Sequence, residues 1–389
     1  MNGYLSGLRD PMVSDAIAKA SASTKCPPGN FIISASHTHS GGVGGPDGGS
    51  QIGPAIVSAI EQAKAKLAPA RIGYGTAKID LNVNRDLYNS RQEWRQAANP
   101  DGPSDKTLAV VEFRRADDTP IAVYMNYAMH PVNFYMTGVV SADFPGEAAR
   151  YVEEMFDNRT VAIFSNGAEG DQNPRLAYSA PFRFRQPQPA TTGTTGATGG
   201  RGANPRTAAA SRQAITPENL PAYKKAIART SDYVVMLGTM IGTTVTRVMR
   251  EDIQPVDSAI IWGAQQGISC PGRERLDAAN PARENVFPGY KDGPDVNIKV
   301  GLLRIGDINF VAVNGEAYSE IAMKLKATAP ANKTIFVGLA NGMAGSGYIY
   351  SDAAYSHLTF QVIGSRLKPG CAEGKIISTA IDLMRKSGQ

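Results

Sequence analysis

The sequence predicts an α/β protein, with an α+β arrangement as the alternative, in which a mixed sheet is flanked by helices. Short apolar runs alternate with amphipathic helical segments along most of the chain. Of its 389 residues, 42% are hydrophobic and 19% are charged, which supplies a large core and excludes a disordered polymer. Active sites of such folds gather at the carboxyl ends of the strands.

The helices follow from start signals and from apolar periodicity. Asp10-Pro11 places proline at a favoured first position of a helix that runs through Ala20, and a longer helix begins at Pro217 or Pro221. Shorter helices are predicted at Ile52–Leu67, Pro145–Phe156, Glu316–Ala327 and Gly374–Lys386. Strands are predicted at Phe31–Ala35, Ala109–Phe113, Ile121–Tyr127, Thr160–Phe164, Ala259–Trp262, Val300–Arg304, Asn309–Val313 and Thr334–Leu339.

The chain is expected to form one domain over residues 1–389, interrupted by an insertion at about 180–214. The insertion is rich in Pro, Thr, Gly and Arg and cannot bury enough apolar surface to offset its ordering entropy, so we expect a flexible surface segment. Five arginines and no acid lie between Leu176 and Ile215, and they account for the net charge of +5. The remainder is balanced and shows no basic face, so a nucleic-acid partner is not predicted.

Hydropathy, the first residues and the cysteines restrict the interpretation less than the composition does. No apolar run reaches the roughly 18–20 residues of a membrane span, so a transmembrane segment is not predicted. The first residues lack the pattern of a secretory signal. Cys26, Cys270 and Cys371 are odd in number and far apart, so we expect neither a disulfide framework nor a metal knuckle. The oligomeric state and the cellular location are not fixed by these observations.

Histidines supply the main chemical signal, because three of only four follow predicted strands. His37 and His39 lie in Ser36-His-Thr-His-Ser-Gly-Gly42, and residues two apart in an extended segment face the same side. A His-x-His pair of this kind is moderately specific for a metal site. The alternative is one core histidine and one exposed histidine.

Two further strand ends strengthen the metal interpretation. His130 follows the strand Ile121–Tyr127, and Glu316 follows the strand Asn309–Val313. Taken alone, His130 is more simply a structural histidine and Glu316 a first-turn helix acid. Together with the His-x-His pair they provide two histidines and a carboxylate, which is a ligand set of catalytic zinc sites. Loops with Glu169 and Asp171, and with Tyr348, follow two more predicted strands.

These segments resemble the neutral, non-lysosomal ceramidases and their bacterial relatives. The similar motifs run in the family's order over about residues 30–365: Ser36-His-Thr-His-Ser-Gly-Gly42, Asn84-Arg85, His130 with Ser141-Ala-Asp143, Gly170-Asp-Gln-Asn-Pro-Arg175, Gly315-Glu316 and Tyr348-Ile-Tyr-Ser-Asp-Ala-Ala-Tyr355. The chain departs from the family pattern at Asn173, where the family has serine. It also ends soon after the last motif, so no carboxy-terminal immunoglobulin-like domain is expected, and the family's opening strands are absent before Met1.

The resemblance implies a set of site residues. It assigns Zn²⁺ to His37, His130, Glu316 and Tyr348, whereas the residues alone leave His39 as a competing ligand. It makes His39 a group that contacts the scissile carbonyl or moves its proton. It implies that Arg85 stabilises the oxyanion and that Tyr355 lines the site, and an amide of Asn173 retains a hydrogen-bond donor where the family has a hydroxyl.

The implied reaction is hydrolysis of an amide (N-acyl) carbonyl by zinc-bound water, with a small-molecule or lipid-like acyl substrate such as a sphingolipid. One alternative is an esterase or lactonase that uses the same zinc chemistry. A second alternative is a binding protein that keeps the fold and has lost turnover. The resemblance also suggests a secreted or periplasmic protein.

Overall fold

Alternating side chains place a four-stranded sheet between helices on one face and a second sheet on the other. On β6 (Thr107–Arg114), Val110 packs toward helices α3 (Asp143–Met155) and α4 (Leu220–Glu251), while its neighbour Val111 packs toward the second sheet. This period of two is the geometry of a strand that is buried on both faces. The helices and the two sheets therefore form successive layers.

The second sheet is also buried on both faces, with its helices on the side away from the first sheet. On β14 (Ile308–Val313), Phe310 and Ala312 face the first sheet, whereas Val311 and Val313 pack in a cluster with α5 (Ser319–Thr328) and α7 (Ala372–Ser387). The molecule is thus built as helices, sheet, sheet and helices. The predicted α/β class is confirmed.

The computed structural model describes residues 2–3, 5–39, 50–135, 137–177, 184–185 and 213–388. Most of the predicted insertion at about 180–214 lies outside the described residues, and the expectation of a single domain stays a prediction. None of the described helices combines the length and the apolar composition that a membrane span requires. The remaining helices are α1 (Asp10–Thr24), α2 (Ile52–Ala65) and α6 (Phe360–Gly364), with short 3₁₀ turns at Pro28–Asn30 and Asp352–Ser356.

The first large sheet has the order β3-β6-β7-β8, antiparallel except for the parallel β7-β8 pair; the second has the order β12-β13-β14-β16, antiparallel except for the parallel β14-β16 pair. Their other strands are β3 (Arg71–Lys78), β7 (Pro120–Tyr127), β8 (Val161–Asn166), β12 (Ile261–Arg275), β13 (Tyr290–Ile305) and β16 (Thr334–Val337). Smaller sheets contain β1 (Asn2–Gly3) with β2 (Ser34–Ala35), β5 (Trp94–Asn99) with β4 (Asn82–Tyr88) and β9 (Gln172–Pro174), β10 (Phe184–Arg185) with β11 (Gln213–Ala214), and β15 (Glu316–Ala317) with β17 (Tyr348–Ile349).

Two features differ from the sequence-based expectations. The predicted helix at Glu316–Ala327 begins only at Ser319, because Glu316 and Ala317 instead pair with Tyr348 and Ile349 as parallel strands. The sequence also did not predict the pairing of two of its three cysteines, since no disulfide framework was expected and Cys270 and Cys371 are bonded across 101 residues. Cys26 remains a free thiol.

Helices α3 and α4 cross at a point where only glycine fits. A Cβ atom added at Gly238 would lie 2.4 Å from the Glu147 Cβ and 2.9 Å from the Ala148 backbone nitrogen. We expect Gly238→Ala to lower the free energy of unfolding by about 1–3 kcal/mol, because the helices must move apart. Denaturant unfolding measures this change.

The matched control is Gly374→Ala in α7, where an added Cβ meets nothing within 4 Å. This variant should be neutral or more stable by up to about 1 kcal/mol, since alanine favours helix over glycine. Equal effects of the two substitutions would contradict the close helix crossing.

Candidate metal centre

Three separate parts of the chain deliver polar side chains to one buried point between the strand ends. His37 follows β2, His130 follows β7, and Glu316 lies on β15. His37 Nε2 lies 3.1 Å from Glu316 Oε2, and His130 Nε2 lies 3.3 Å from the same oxygen. His39 Nε2 lies 3.0 Å from His37 Nε2. We call these four residues the histidine–glutamate cluster.

The backbone around His37 differs from the extended segment that the sequence suggested. His37 has a φ of +67°, in the left-handed region that most side chains avoid. Its backbone N–H donates to the Leu5 carbonyl, and its ring Nδ1–H donates to the Ser6 carbonyl. The pairing of His37 with His39 is therefore produced by this bend and not by strand alternation.

His130 is fixed by a network that begins in its own loop. Its Nδ1–H donates to the Glu169 carbonyl at 2.7 Å. Asp143 holds the loop after His130, because its carboxylate accepts from the Asn133 backbone N–H at 2.9 Å and from the Asn133 side-chain amide at 2.7 Å. These contacts explain how the segment Ser141-Ala-Asp143 supports a histidine that precedes it by more than ten residues.

The tautomers that these contacts impose suit a metal. Because a carbonyl only accepts, the Nδ1 atoms of His37 and His130 both carry hydrogen, and the Nε2 atom of each neutral ring presents a lone pair to the cluster. Metal-binding histidines commonly donate their other N–H to a carbonyl in this way. These Nε2 atoms lie 3.1 and 3.3 Å from Glu316 Oε2. A nitrogen lone pair and a carboxylate oxygen this close together repel each other unless a proton or a cation lies between the two atoms.

The ionisation of the cluster is strongly perturbed. Burial alone would lower the pKa of His37, but the Glu316 carboxylate outweighs burial and raises it. Burial would raise the pKa of Glu316, but His37 and His130 hold it well below its usual value. Burial and then Arg85 lower the pKa of His130 to about 3. A proton on His37 thus takes the charge-balancing role that a bound cation would take.

The spacing of the donor atoms fits zinc. Two ligand atoms at about 2.0–2.2 Å from a tetrahedral zinc are roughly 3.3 Å or slightly more apart. The distances from Glu316 Oε2 to the two imidazole nitrogens are 3.1 and 3.3 Å. The nitrogens of His37, His39 and His130 also lie within 4.8 Å of one another, so the geometry leaves His39 as a possible ligand.

Tyr348 reaches the cluster through strand pairing. It is the direct partner of Glu316 in the parallel β15-β17 pair, so both side chains are delivered at the same level. Burial and then the Glu316 carboxylate raise the pKa of Tyr348 well above its usual value, whereas Arg85 opposes this shift. The phenol is therefore a neutral donor beside the carboxylate.

Arg85 closes one side of the cluster. Its guanidinium donates to the Gly170 carbonyl at 2.6 Å and to Asn173 Oδ1 at 3.2 Å, and it lies 3.5 Å from His130 Nε2. Burial would lower the pKa of Arg85, but Tyr348 and Glu316 raise it. The positive charge is therefore retained at a buried position next to the histidines.

Tyr355, to which the resemblance gives a place at the site, contacts residues outside the histidine–glutamate cluster. Its ring lies 6.4 Å from that of Tyr350 and 5.8 Å from the Arg273 guanidinium, and 44% of the residue is exposed. Phe360, which the sequence did not single out, contacts two of the proposed site residues: its ring lies 5.6 Å from that of Tyr348 and 5.5 Å from the Arg85 guanidinium. Its position just after the tyrosine-rich segment was the available sequence signal.

Glu169 is another residue whose role the sequence did not indicate, since it was assigned only to a loop. Both of its carboxyl oxygens are buried and have no hydrogen-bond partner among the described residues. Burial raises the pKa of Glu169 to about 8, with a smaller opposing effect of His37. The metal-free protein therefore holds a proton on this carboxyl at neutral pH.

The fold and the cluster together define an α/β protein whose strand ends converge on a buried histidine–carboxylate site. Residues 23–235, more than half of the chain, match the family model described as neutral/alkaline non-lysosomal ceramidase, N-terminal. The chain belongs to this family, which confirms the resemblance seen in its motifs.

Solved structures show the same fold. The neutral ceramidase from Pseudomonas aeruginosa has a TM-score of 0.68 at 14% identity, over 99% of this chain and 66% of that protein. A structure described as ceramidase complexed with C2 has a TM-score of 0.69 at 15% identity, over 99% of this chain and 67% of that protein. The chain thus spans about two thirds of these relatives. Comparison with curated protein sequences gives no match.

The proton on Glu169 predicts a pH-dependent stability. Because the folded protein binds this proton more tightly than the unfolded chain, the free energy of unfolding should fall as pH rises from about 4.5, the ordinary value, to about 8. Glu169→Gln should reduce this loss by roughly 2–5 kcal/mol over that range. Chemical denaturation of metal-free protein with excess chelator, at several pH values, measures it.

A residual slope should remain in the variant, because burial also raises the pKa of Asp171, to about 7. Glu61→Gln, on an exposed part of α2, is the matched control and should follow the wild-type profile. Parallel profiles for wild type and Glu169→Gln would show that Glu169 carries no tightly held proton.

Proposed function

We propose that this protein is a zinc-dependent hydrolase that cleaves the amide bond of an N-acyl substrate. The observation that carries this proposal is the contact of one carboxylate oxygen with the Nε2 atoms of two histidines at 3.1 and 3.3 Å. Membership of a ceramidase family supports the reaction class. Esters of similar shape are the second class of compound to be tested.

The residues that would hold the ion are His37, His130, Glu316 and Tyr348. Their donor set of two imidazoles, a carboxylate and a phenol provides nitrogen and oxygen ligands of the type that zinc accepts. When bound, zinc lowers the pKa of a coordinated water from 15.7 to about 7 and polarises a carbonyl oxygen as a Lewis acid.

His39 would transfer a proton in the proposed reaction. Burial and then His37 hold the pKa of His39 well below its usual value, so the ring is neutral at neutral pH and can accept a proton from the attacking water. The resulting imidazolium can donate that proton to the amide nitrogen as the carbon–nitrogen bond breaks. The second proton of the water passes from the new carboxyl group to the amine, so the products are a carboxylate and an ammonium group, and His39 returns to its neutral form.

Arg85 would stabilise the negative charge that develops on the carbonyl oxygen. Its guanidinium is buried and held by Gly170 and Asn173, so little reorganisation is needed when charge appears. Because Asn173 Oδ1 accepts from Arg85, the amide of Asn173 keeps its own N–H donors for a substrate. No nucleophilic side chain is required by this scheme.

The substrate is proposed to be an acyl compound with a hydrocarbon chain. One of the structural relatives is a protein described as ceramidase complexed with C2. A panel of N-acyl amides with matched esters, assayed with added zinc, tests the proposal for this chain. Turnover of amides supports it; turnover of esters alone, or of neither, would overturn it.

Loss of a histidine ligand should remove the metal. We expect His37→Ala and His130→Ala each to lower zinc content from about one equivalent to near zero and to abolish turnover, since a site with one imidazole binds zinc far more weakly. Elemental analysis after dialysis measures this. His357→Ala, which changes the fourth histidine outside the cluster, should retain its zinc, and full zinc in either cluster variant would refute its assignment.

Substitution of His39 separates proton transfer from metal binding. We expect His39→Ala to retain zinc but to lose turnover by about 10²–10⁴-fold, the usual contribution of a general acid–base group. The pH–rate profile of residual activity should also lose the limb that the imidazole contributes. A zinc-free His39→Ala protein would mean that His39 is a ligand.

A further inference from the structure

A cavity with acidic and aromatic lining residues lies on the opposite face of β4 from the histidine–glutamate cluster. Successive residues of a strand point to opposite sides, so Arg85 faces the cluster while Asn84 and Asp86 line the cavity. Its volume is about 300 Å³. We call it the Asp86 pocket, and it is lined by Asn84, Asp86, Tyr88, Trp94, Asn99, Pro103, Asp171, Tyr318, Glu320, Ser351, Ala353, Ala354 and His357.

Asp86 has one carboxylate oxygen without a partner. Its Oδ2 accepts from the Tyr318 hydroxyl at 2.9 Å and from His357 Nδ1 at 3.0 Å. Its Oδ1 is buried and has no donor among the described residues, although only 2% of the residue is exposed. A buried carboxylate oxygen without a donor is costly, so this atom calls for an N–H or O–H group from a molecule in the pocket.

Aromatic rings form part of the wall of the same pocket. The rings of Trp94 and His357 are stacked with centroids 3.9 Å apart, and Tyr88 packs against Trp94 at 5.1 Å. Tyr88 is 53% exposed, which places it where the pocket meets solvent. Tryptophan and tyrosine faces attract cations as well as hydrocarbon, so this wall suits an organic cation.

The other charged groups leave Asp86 Oδ1 as the available acceptor. The Asp171 carboxylate is already occupied by the Ser319 backbone N–H at 2.8 Å and by the Asn84 amide at 2.8 Å. Glu320 pairs with Lys324 at 3.2 Å. Neither lysine nor arginine occurs among the lining residues that the structure describes, and the one lining imidazole already donates to Asp86 Oδ2.

We propose that the Asp86 pocket binds a small organic cation, with a primary ammonium group donating to Asp86 Oδ1 and its hydrocarbon part resting beside Trp94 and Tyr88. The ammonium supplies both the missing donor and the compensating charge. This binding site is separate from the proposed metal centre, since Arg85 lies on the other side of the same strand. The proposal does not depend on the hydrolase function.

Tryptophan fluorescence provides a direct test. The chain has two tryptophans, so a Trp262→Phe background leaves Trp94 as the only reporter. Titration of this full-length protein with cyclohexylammonium should give a saturable change, and cyclohexanol, which has the same ring and no charge, should bind at least about tenfold more weakly. Absence of a saturable response, or equal affinity for the two compounds, would overturn the proposal.

Substitution of the carboxylate locates the ligand. In the same background, Asp86→Asn should weaken cyclohexylammonium at least about tenfold, whereas Asp382→Asn, an exposed acid on α7, should leave affinity unchanged. Unchanged affinity in folded Asp86→Asn protein would contradict the proposed contact. If circular dichroism shows that the Asp86→Asn protein does not fold, the Trp94→Ala protein is titrated with cyclohexylammonium by calorimetry instead. An affinity of Trp94→Ala equal to that of the wild type would overturn the proposed site.

Discussion

The Glu316 carboxylate lies between two imidazoles in the interior, and the surrounding architecture serves to make that contact possible. A buried carboxylate is tolerated only when positive charge and hydrogen bonds compensate for its lost hydration. His37, His130 and Arg85 provide this compensation from three distant parts of the chain. Carbonyl groups of Ser6 and Glu169 fix the ring orientations, so the contact is geometrically determined before any ligand is considered.

Strand pairing controls which residues share this site. Because Glu316 and Tyr348 are register partners in β15-β17, a shift of that pair by one residue would turn one of the two side chains away. β4 has a similar role, since its alternating residues supply Arg85 to the cluster and Asp86 to a separate pocket. Two sites thus depend on one strand, of whose seven residues five are buried.

The sequence was sufficient for the fold class and for the convergence of His37, His130 and Glu316. It predicted β6, β7, β14 and α2 because their apolar patterns are regular. It did not predict β4, because the Asn, Arg and Asp residues of this strand are typical of a loop. They are buried here because their polar side chains have partners at the two sites.

Other errors arose where tertiary contacts override local signals. Glu316 has the pattern of a helix start, but pairing with β17 makes it a strand residue. The left-handed backbone of His37 has no local signature, since it depends on contacts with residues near the amino terminus. Phe360 begins the short helix α6, and only packing, not a local signal, brings its ring to Arg85.

The bond between Cys270 and Cys371 closes a covalent ring of about one hundred residues, and this ring contains Glu316 and Tyr348 but neither His37 nor His130. A ring of that size restricts the denatured chain by about 4–5 kcal/mol in the chain-entropy description. Oxidised denatured chains therefore begin refolding with the carboxylate and the phenol already confined to one loop, whereas the imidazoles must be recruited from outside it.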